Sequence, residues 1–269
     1  MKVSVITINY NNASGLNHTI HSVKRQSHDD HEFIVIDGRS TDGSLEVIKE
    51  NHADIDYWVS EKDNGIYHAM NKGVAQAHGD YCIFMNSGDV FYDDNVLESI
   101  CCKDFNEDVI IGKVAIDEQG HIISPPPVSG ELTLYHLYSG AIPHQGSFIK
   151  TELLRTHPYD ESLKISSDWK FFVQTLILDN CSVRYVDLFV ACYDMNGISS
   201  HNQQIMRHEK EQVLAHLFSP RVLADYRMMK NSECLTQSLT PQLHKHYRID
   251  KLMFLIGRML LRFTKNEGT

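Results

Sequence analysis

The chain has 269 residues, 42% hydrophobic and 22% charged, which is ordinary for a globular protein with a real core and leaves room for one large α/β domain or two small ones. A formal net charge of -10 and a pI near 5.8 argue against general nucleic-acid binding, which needs a basic footprint. Six cysteines (Cys82, Cys101, Cys102, Cys181, Cys192 and Cys234) form no CxxC pair, so reduced thiols in a reducing compartment are expected.

The sixteen histidines show no HExxH spacing. The opening MKVSVITINYNN is too short and too polar for a signal peptide, and no apolar run reaches the roughly 18 residues of a spanning helix.

In chain order, Val3, Val5, Ile6 and Ile8 form a β-branched run that stops at a polar loop, Asn9 to Asn12. Residues 14–26 carry Leu16, Ile20 and Val23 at helical spacing. A second strand over 33–36 ends in DGRSTDG, and a helix with Leu45, Val47 and Ile48 follows. A short strand is expected at 55–59, a helix at 66–77, a strand at 81–85, a helix at about 93–101 and a strand at 109–111. This alternation implies right-handed crossovers and a parallel sheet. Its ligands would bind at the carboxyl ends of the strands, where three polar loops (9–12, 37–43 and 86–89) should converge.

Beyond residue 112 the order changes. Residues 113–123 read as a hairpin, Pro125-Pro126-Pro127 as a stiff break, 131–138 as a short helix and 146–149 as a strand leading into a helix from Thr151. A helix over 168–178, strands at 183–186 and 189–193, and a mostly helical remainder from His201 complete the reading.

Each polar segment admits two interpretations. Asp37 ends a strand and opens a capped turn, or its carboxylate accepts hydrogen bonds from a nucleobase or ribose. Lys72 lies on a solvated helix face, or it closes over an anion together with the SEKDNG loop. Asn86-Ser87-Gly88-Asp89 is a turn, or Asp89 contributes a hard oxygen to a Mg²⁺ or Mn²⁺ ion that neutralises a diphosphate. Asp168 complements a helix dipole, or it is a general base for an acceptor hydroxyl. His144, in PHQG, is structural or catalytic.

In order, VITINYNN, DGRSTDGS, SEKDNGIYHAMNKG, YCIFMNSGD, IPHQGSFI and SSDWKFF resemble the inverting family 2 glycosyltransferases of GT-A fold over roughly residues 1–200. The nearest likeness is to bacterial enzymes of O-antigen, capsule or colanic-acid-type polysaccharide synthesis. The resemblance implies a nucleotide-sugar-binding half (1–112), an acceptor-binding half (113–200) and a helical C-terminal extension (201–269). It implies that Thr7, Asn9, Asn11, Asp37, Asp63, Gly65, Lys72, Asn86 and Ser87 border the donor, usually a UDP-sugar. It also implies that Asp89 binds Mg²⁺ or Mn²⁺, with His201 a further candidate ligand, and that Asp168 is the catalytic base, with His144 and Trp169 toward the acceptor.

The chain departs from the family in four places. Ser167 replaces the first acid of the ED-like motif, and Asn-Ser-Gly-Asp stands for Asp-x-Asp-Asp. Met70 stands where many relatives have Arg, and His68 where close relatives have Asp. The expected partners are a nucleotide-sugar donor and a saccharide or lipid-diphosphate-linked acceptor, with no nucleic acid. A cytoplasmic protein is expected, in contact with the inner face of the plasma membrane if residues 251–265 (KLMFLIGRMLLRFTK) lie on it as an amphipathic helix rather than pack in a core. Two alternatives are a nucleotidyltransferase on a related sheet and an inactive sugar-nucleotide-binding scaffold.

Overall fold

The computed structural model describes residues 1–118, 121–123, 132–193 and 202–232. The chain divides into two compact units, Met1–Val213 and Leu214–Thr269.

The first unit is built on a nine-stranded sheet. Its first half alternates strand and helix: β1 (Val3–Asn9), α1 (Ala13–Lys24), β2 (His31–Asp37), α2 (Ser44–Glu50), β3 (Tyr57–Ser60), α3 (Ile66–Gln76) and β4 (Tyr81–Phe84). These four strands run parallel in the order β3-β2-β1-β4. Every residue of β1 is buried, as a central strand covered on both faces requires. Leu16, Ile20 and Val23 of α1 pack into the core with Val3, Val5, Phe33 and Val35, each full burial being worth about 1.5–3 kcal/mol. On α3, a Cβ at Gly73 would stand 2.4 Å from Ile6 Cγ2, so glycine lets the helix approach β1 closely.

The second half supplies the antiparallel pairings of the expected mostly parallel sheet. After β5 (Val90–Phe91) and α4 (Val96–Cys101), β6 (Val109–Glu118) is a ten-residue strand, of which the expected 109–111 segment is only the start. It forms the hairpin with β7 (His121–Ile123) and pairs parallel with β9 (Val183–Tyr193). Between them lie α5 (Leu134–Ser139), β8 (Ser147–Lys150), α6 (Thr151–Thr156) and α7 (Ser167–Phe172). β8 runs antiparallel to both β4 and β6, and so splices the two halves into one mixed sheet. The two strands expected at 183–186 and 189–193 are one, β9, its pairing with β6 interrupted by register shifts. The helix expected over 168–178 is α7 followed by a π-helical turn, Val173–Leu178.

Helix α8 (Gln203–Leu217) follows, and a further helix, α9, occupies 220–232. The proline break, His201 and the segment 251–265 lie outside the described residues. Among the described residues no helix is long and apolar enough to cross a membrane. The five described cysteines are free thiols, and burial pushes Cys82 up to about 11.

Candidate active site

Strand register brings the site together. Asn9 pairs with Asp37, and Asp37 with Ser60, so three polar side chains stand in a row where β1, β2 and β3 end. The loops beyond them touch: a Cβ at Gly38 would lie 3.1 Å from both Tyr10 Cδ2 and Asp63 Oδ2. The convergence expected from a parallel arrangement is therefore realised.

Asp37 is fully buried and takes four hydrogen bonds. Asn9 Nδ2 donates at 2.7 Å, Ser40 N at 3.0 Å, Ser40 Oγ at 2.5 Å and Ser60 Oγ at 2.6 Å. A carboxylate offers about four lone-pair sites, so contact with a nucleobase would require exchanging one of these bonds. Asn11 adopts φ 50 and Arg39 φ 62, both left-handed. Asn11 tolerates this conformation, and its Oδ1 accepts from Thr41 N at 2.8 Å. Arg39 is exposed at the rim and has no ion-pair partner among the described residues.

Lys72 is not free to wait for an anion. Its Nζ is 2.6 Å from Asp63 Oδ1 and 2.8 Å from Glu61 Oε1. Burial lowers its pKa, but these carboxylates more than offset that and raise it. Gly65, at φ 126, opens α3 in a backbone conformation that disfavours other residues. Thr7 is buried and ties β1 to β4 through Oγ1 to Met85 O at 2.6 Å.

Asn86-Ser87-Gly88-Asp89 follows β4 as a turn closed by Asp89 N to Asn86 O at 2.9 Å, with Gly88 at φ 108. Thr19 of α1, a residue with no signal in the sequence, holds this turn. Its Oγ1 donates to Asp89 O at 2.7 Å and accepts from Gly88 N at 3.0 Å. Asn12 Nδ2 donates to Ser87 O at 2.9 Å. The side-chain carbonyls of Asn9 and Asn86 are both buried with no hydrogen-bond partner. A buried unpaired acceptor costs about 1–3 kcal/mol, and a ligand donor would recover it.

Asn86 also touches the catalytic candidates. Its Nδ2 is 3.1 Å from His144 Nε2, and His144 Nδ1 is 3.0 Å from Asp168 Oδ2. Tyr67 of α3 donates to Asp168 Oδ1 at 2.9 Å. Burial pushes the Asp168 carboxyl up, but His144, Tyr67 and the Trp169 N–H together hold it below the ordinary aspartate value. Burial and the adjacent Asp168 raise the Tyr67 phenol.

Residues 164–166, just ahead of α7, are held by Glu209 of α8. Its buried carboxylate accepts from the backbone N–H groups of Lys164, Ile165 and Ser166 at 2.7, 3.1 and 3.0 Å. Trp169 was expected toward the acceptor, and its own contacts are with the protein. It is 3% exposed, donates Nε1 to Leu137 O at 2.8 Å and carries Lys210 Nζ 4.9 Å above its ring, which makes it a packing anchor for α7.

Among the described residues no group of three or more His, Cys, Asp or Glu side chains could hold a metal. Asp89, buried at the end of the turn, is the one carboxylate of its tetrad. One carboxylate completed by phosphate oxygens and water is an adequate set for Mg²⁺ or Mn²⁺, so these residues fit an ion that arrives with a diphosphate.

The fold is that of GT-A glycosyltransferases. Staphylococcus aureus TarS 1–349, solved with UDP-GlcNAc, superposes with a TM-score of 0.64 at 20% identity, over 80% of this chain and 67% of TarS. Mannosyltransferase PcManGT from Pyrobaculum calidifontis, solved with GDP-Man and Mn²⁺, gives 0.56 at 18% identity over 76% and 60%. In sequence, residues 4–120 match glycosyl transferase family 2. An uncharacterized glycosyltransferase of Mycobacterium tuberculosis is 31% identical over 213 residues, 75% of this chain and 78% of that protein. A PGL/p-HBAD biosynthesis glycosyltransferase of Mycobacterium bovis is 27% identical over 206 residues, 73% and 78%. The chain belongs to the family 2 glycosyltransferases.

Proposed function

We propose that this glycosyltransferase moves a hexose or N-acetylhexosamine from a UDP-sugar to a saccharide hydroxyl, with inversion at the anomeric carbon. Asn86 carries the reading. It opens the turn after β4, contacts His144 of the His144–Asp168 pair, and keeps an unpaired buried carbonyl for a ligand hydroxyl. Donor loops and a proton acceptor thus meet at one side chain.

The acceptor hydroxyl attacks the anomeric carbon in one displacement, and its proton passes to the His144–Asp168 pair. Asn9, Asn11, Asp37, Asp63, Gly65 and Ser87 shape the nucleotide side, with Lys72 fixed between Asp63 and Glu61. Asp89 would hold a Mg²⁺ or Mn²⁺ ion, which supplies neutralisation of the departing diphosphate. The UDP-GlcNAc complex of TarS supports the donor class, and the Mn²⁺ complex of PcManGT supports the ion. The order of the six sequence motifs supports, for the acceptor, a lipid-diphosphate-linked saccharide of a bacterial surface polysaccharide. Residues 251–265 would then rest on the inner face of the plasma membrane.

The test is thermal denaturation with UDP-, GDP- and dTDP-sugars, with and without Mn²⁺. A donor at 100 times its Kd adds about 2.7 kcal/mol of stability. A rise in Tm with UDP-GlcNAc or another UDP-sugar is expected, larger with Mn²⁺. No rise with any donor overturns the reading.

A further inference from the structure

We propose that His144 is the base of this reaction: its Nε2 takes the acceptor's proton, and Asp168 is the positioning carboxylate behind it. The proposal rests on the glycosyl-transfer reading above and assigns the proton acceptor that reading left to a pair.

Three observations carry it. First, both Asp168 oxygens are engaged, Oδ1 by Tyr67 at 2.9 Å and Oδ2 by His144 at 3.0 Å. These partners, with the Trp169 N–H, outweigh burial and hold the carboxyl below its ordinary value, which makes Asp168 a weak base. Second, the contacts of His144 fix its tautomer. Asn86 Nδ2 can only donate, so Nε2 must accept, and the ring proton sits on Nδ1 facing Asp168. The lone pair of Nε2 is therefore presented at the end of β4, where the donor loops meet. Third, His144 is rigidly placed. It opens a 3₁₀ turn, His144–Gly146, whose glycine approaches Gly112 O so closely that a Cβ would stand 2.9 Å away. Ser147 Oγ closes the turn on Pro143 O at 2.9 Å.

The unpaired Asn86 Oδ1 then has a use. In the resting protein the amide nitrogen guards the Nε2 lone pair. An acceptor O–H can replace it, because such a bond is worth only about 0.5–1.5 kcal/mol net. After transfer Nε2 carries a proton, and Oδ1 of the same amide, once the amide turns over, can accept a hydrogen bond from it. In the step, the acceptor O–H bond breaks with its proton going to Nε2, and the oxygen–anomeric carbon bond forms. The bond from that carbon to the diphosphate breaks with its electron pair leaving on the diphosphate. The resulting imidazolium is balanced by Asp168.

The experiment uses the full chain and has two arms. In the first, long-range ¹H–¹⁵N spectra of histidine-labelled protein without ligand should show His144 as the Nδ1–H tautomer, and an Nε2–H tautomer overturns the proposal. In the second, single-turnover release of UDP from UDP-GlcNAc, or from whichever panel donor raises Tm, is measured with water as acceptor. His144→Ala and His144→Gln should slow release by about 10²–10⁴-fold while keeping the donor-dependent Tm rise, which also shows that they fold. Imidazole should restore His144→Ala by about tenfold or more, and formate should not. Full release in both variants, or no rescue by imidazole, would return the role to Asp168. Absence of any donor-dependent Tm rise in wild type would instead sink the functional reading and leave the tautomer arm to judge His144.

Discussion

Two aspartates of the site, Asp37 fully buried at the end of β2 and Asp168 partly buried at the start of α7, are treated in opposite ways. Asp37 is surrounded by an amide, two hydroxyls and a backbone N–H, from the ends of the neighbouring strands and the loop that follows it. Asp168 is met by a phenol from α3 and an imidazole that has a second nitrogen. Neutral donors that end at the carboxylate can only hold it in place. An imidazole extends it, because a change of charge at one nitrogen is felt at the other. The first arrangement builds a wall and the second a path for a proton, although both begin as an acid at the end of a secondary-structure element.

That contrast can be broken by substitution. Asp168→Asn should produce the largest functional loss, about 10²–10⁴-fold in turnover with donor-induced Tm rise intact, as read by nucleotide release. Asp37→Ala should act on the fold instead. It orphans the donors of Asn9, Ser40 and Ser60 and should cost about 2–4 kcal/mol in urea denaturation; a loss of turnover without a loss of stability would erase the distinction. Tyr67→Phe should fall between, removing one bond to a charged group worth about 1.5–3 kcal/mol, with kcat reduced more than KM is raised. Asp89→Ala should abolish the Mn²⁺ increment in donor-induced Tm.

The smallest effect is a pH dependence beside α7. Burial raises Asp160, but Lys170 at 2.6 Å and Ser162 outweigh it and bring it down to about 2, below the ordinary aspartate range. A depressed carboxyl stabilises the fold above its unfolded pKa and loses that contribution as pH falls through the folded one. The Tm difference between wild type and Lys170→Met should therefore be present at about pH 5 and fade toward about pH 2.

The parallel half was legible because its period and its polar stops coincide. The run from Val3 to Ile8 ends at Asn9 and the second strand ends at Asp37, so the rim could be drawn from sequence alone. The second half resisted for a physical reason: β8 is inserted antiparallel between β4 and β6, a pairing that no local pattern encodes. The site divides similarly. Asp168 and His144 could be picked out as residues, but their contact spans 24 positions, and Tyr67 reaches Asp168 across 101. Tyr67 could be found only as a polar aromatic next to Gly65 at a helix start. Thr19 and Glu209 looked like ordinary helix residues, because their importance lies in the backbone groups they meet.

Glu209 also bears on where the chain can be cut. A fragment ending at residue 200, the boundary suggested by motif content, would contain all six motifs yet lack the carboxylate that gathers the N–H groups of Lys164, Ile165 and Ser166. Those groups lie two to four residues ahead of Asp168. For expression, crystallisation or domain exchange, the minimal unit should extend at least through Val213. The helix after the last recognisable motif is then a part of the catalytic scaffold that a motif search would trim away.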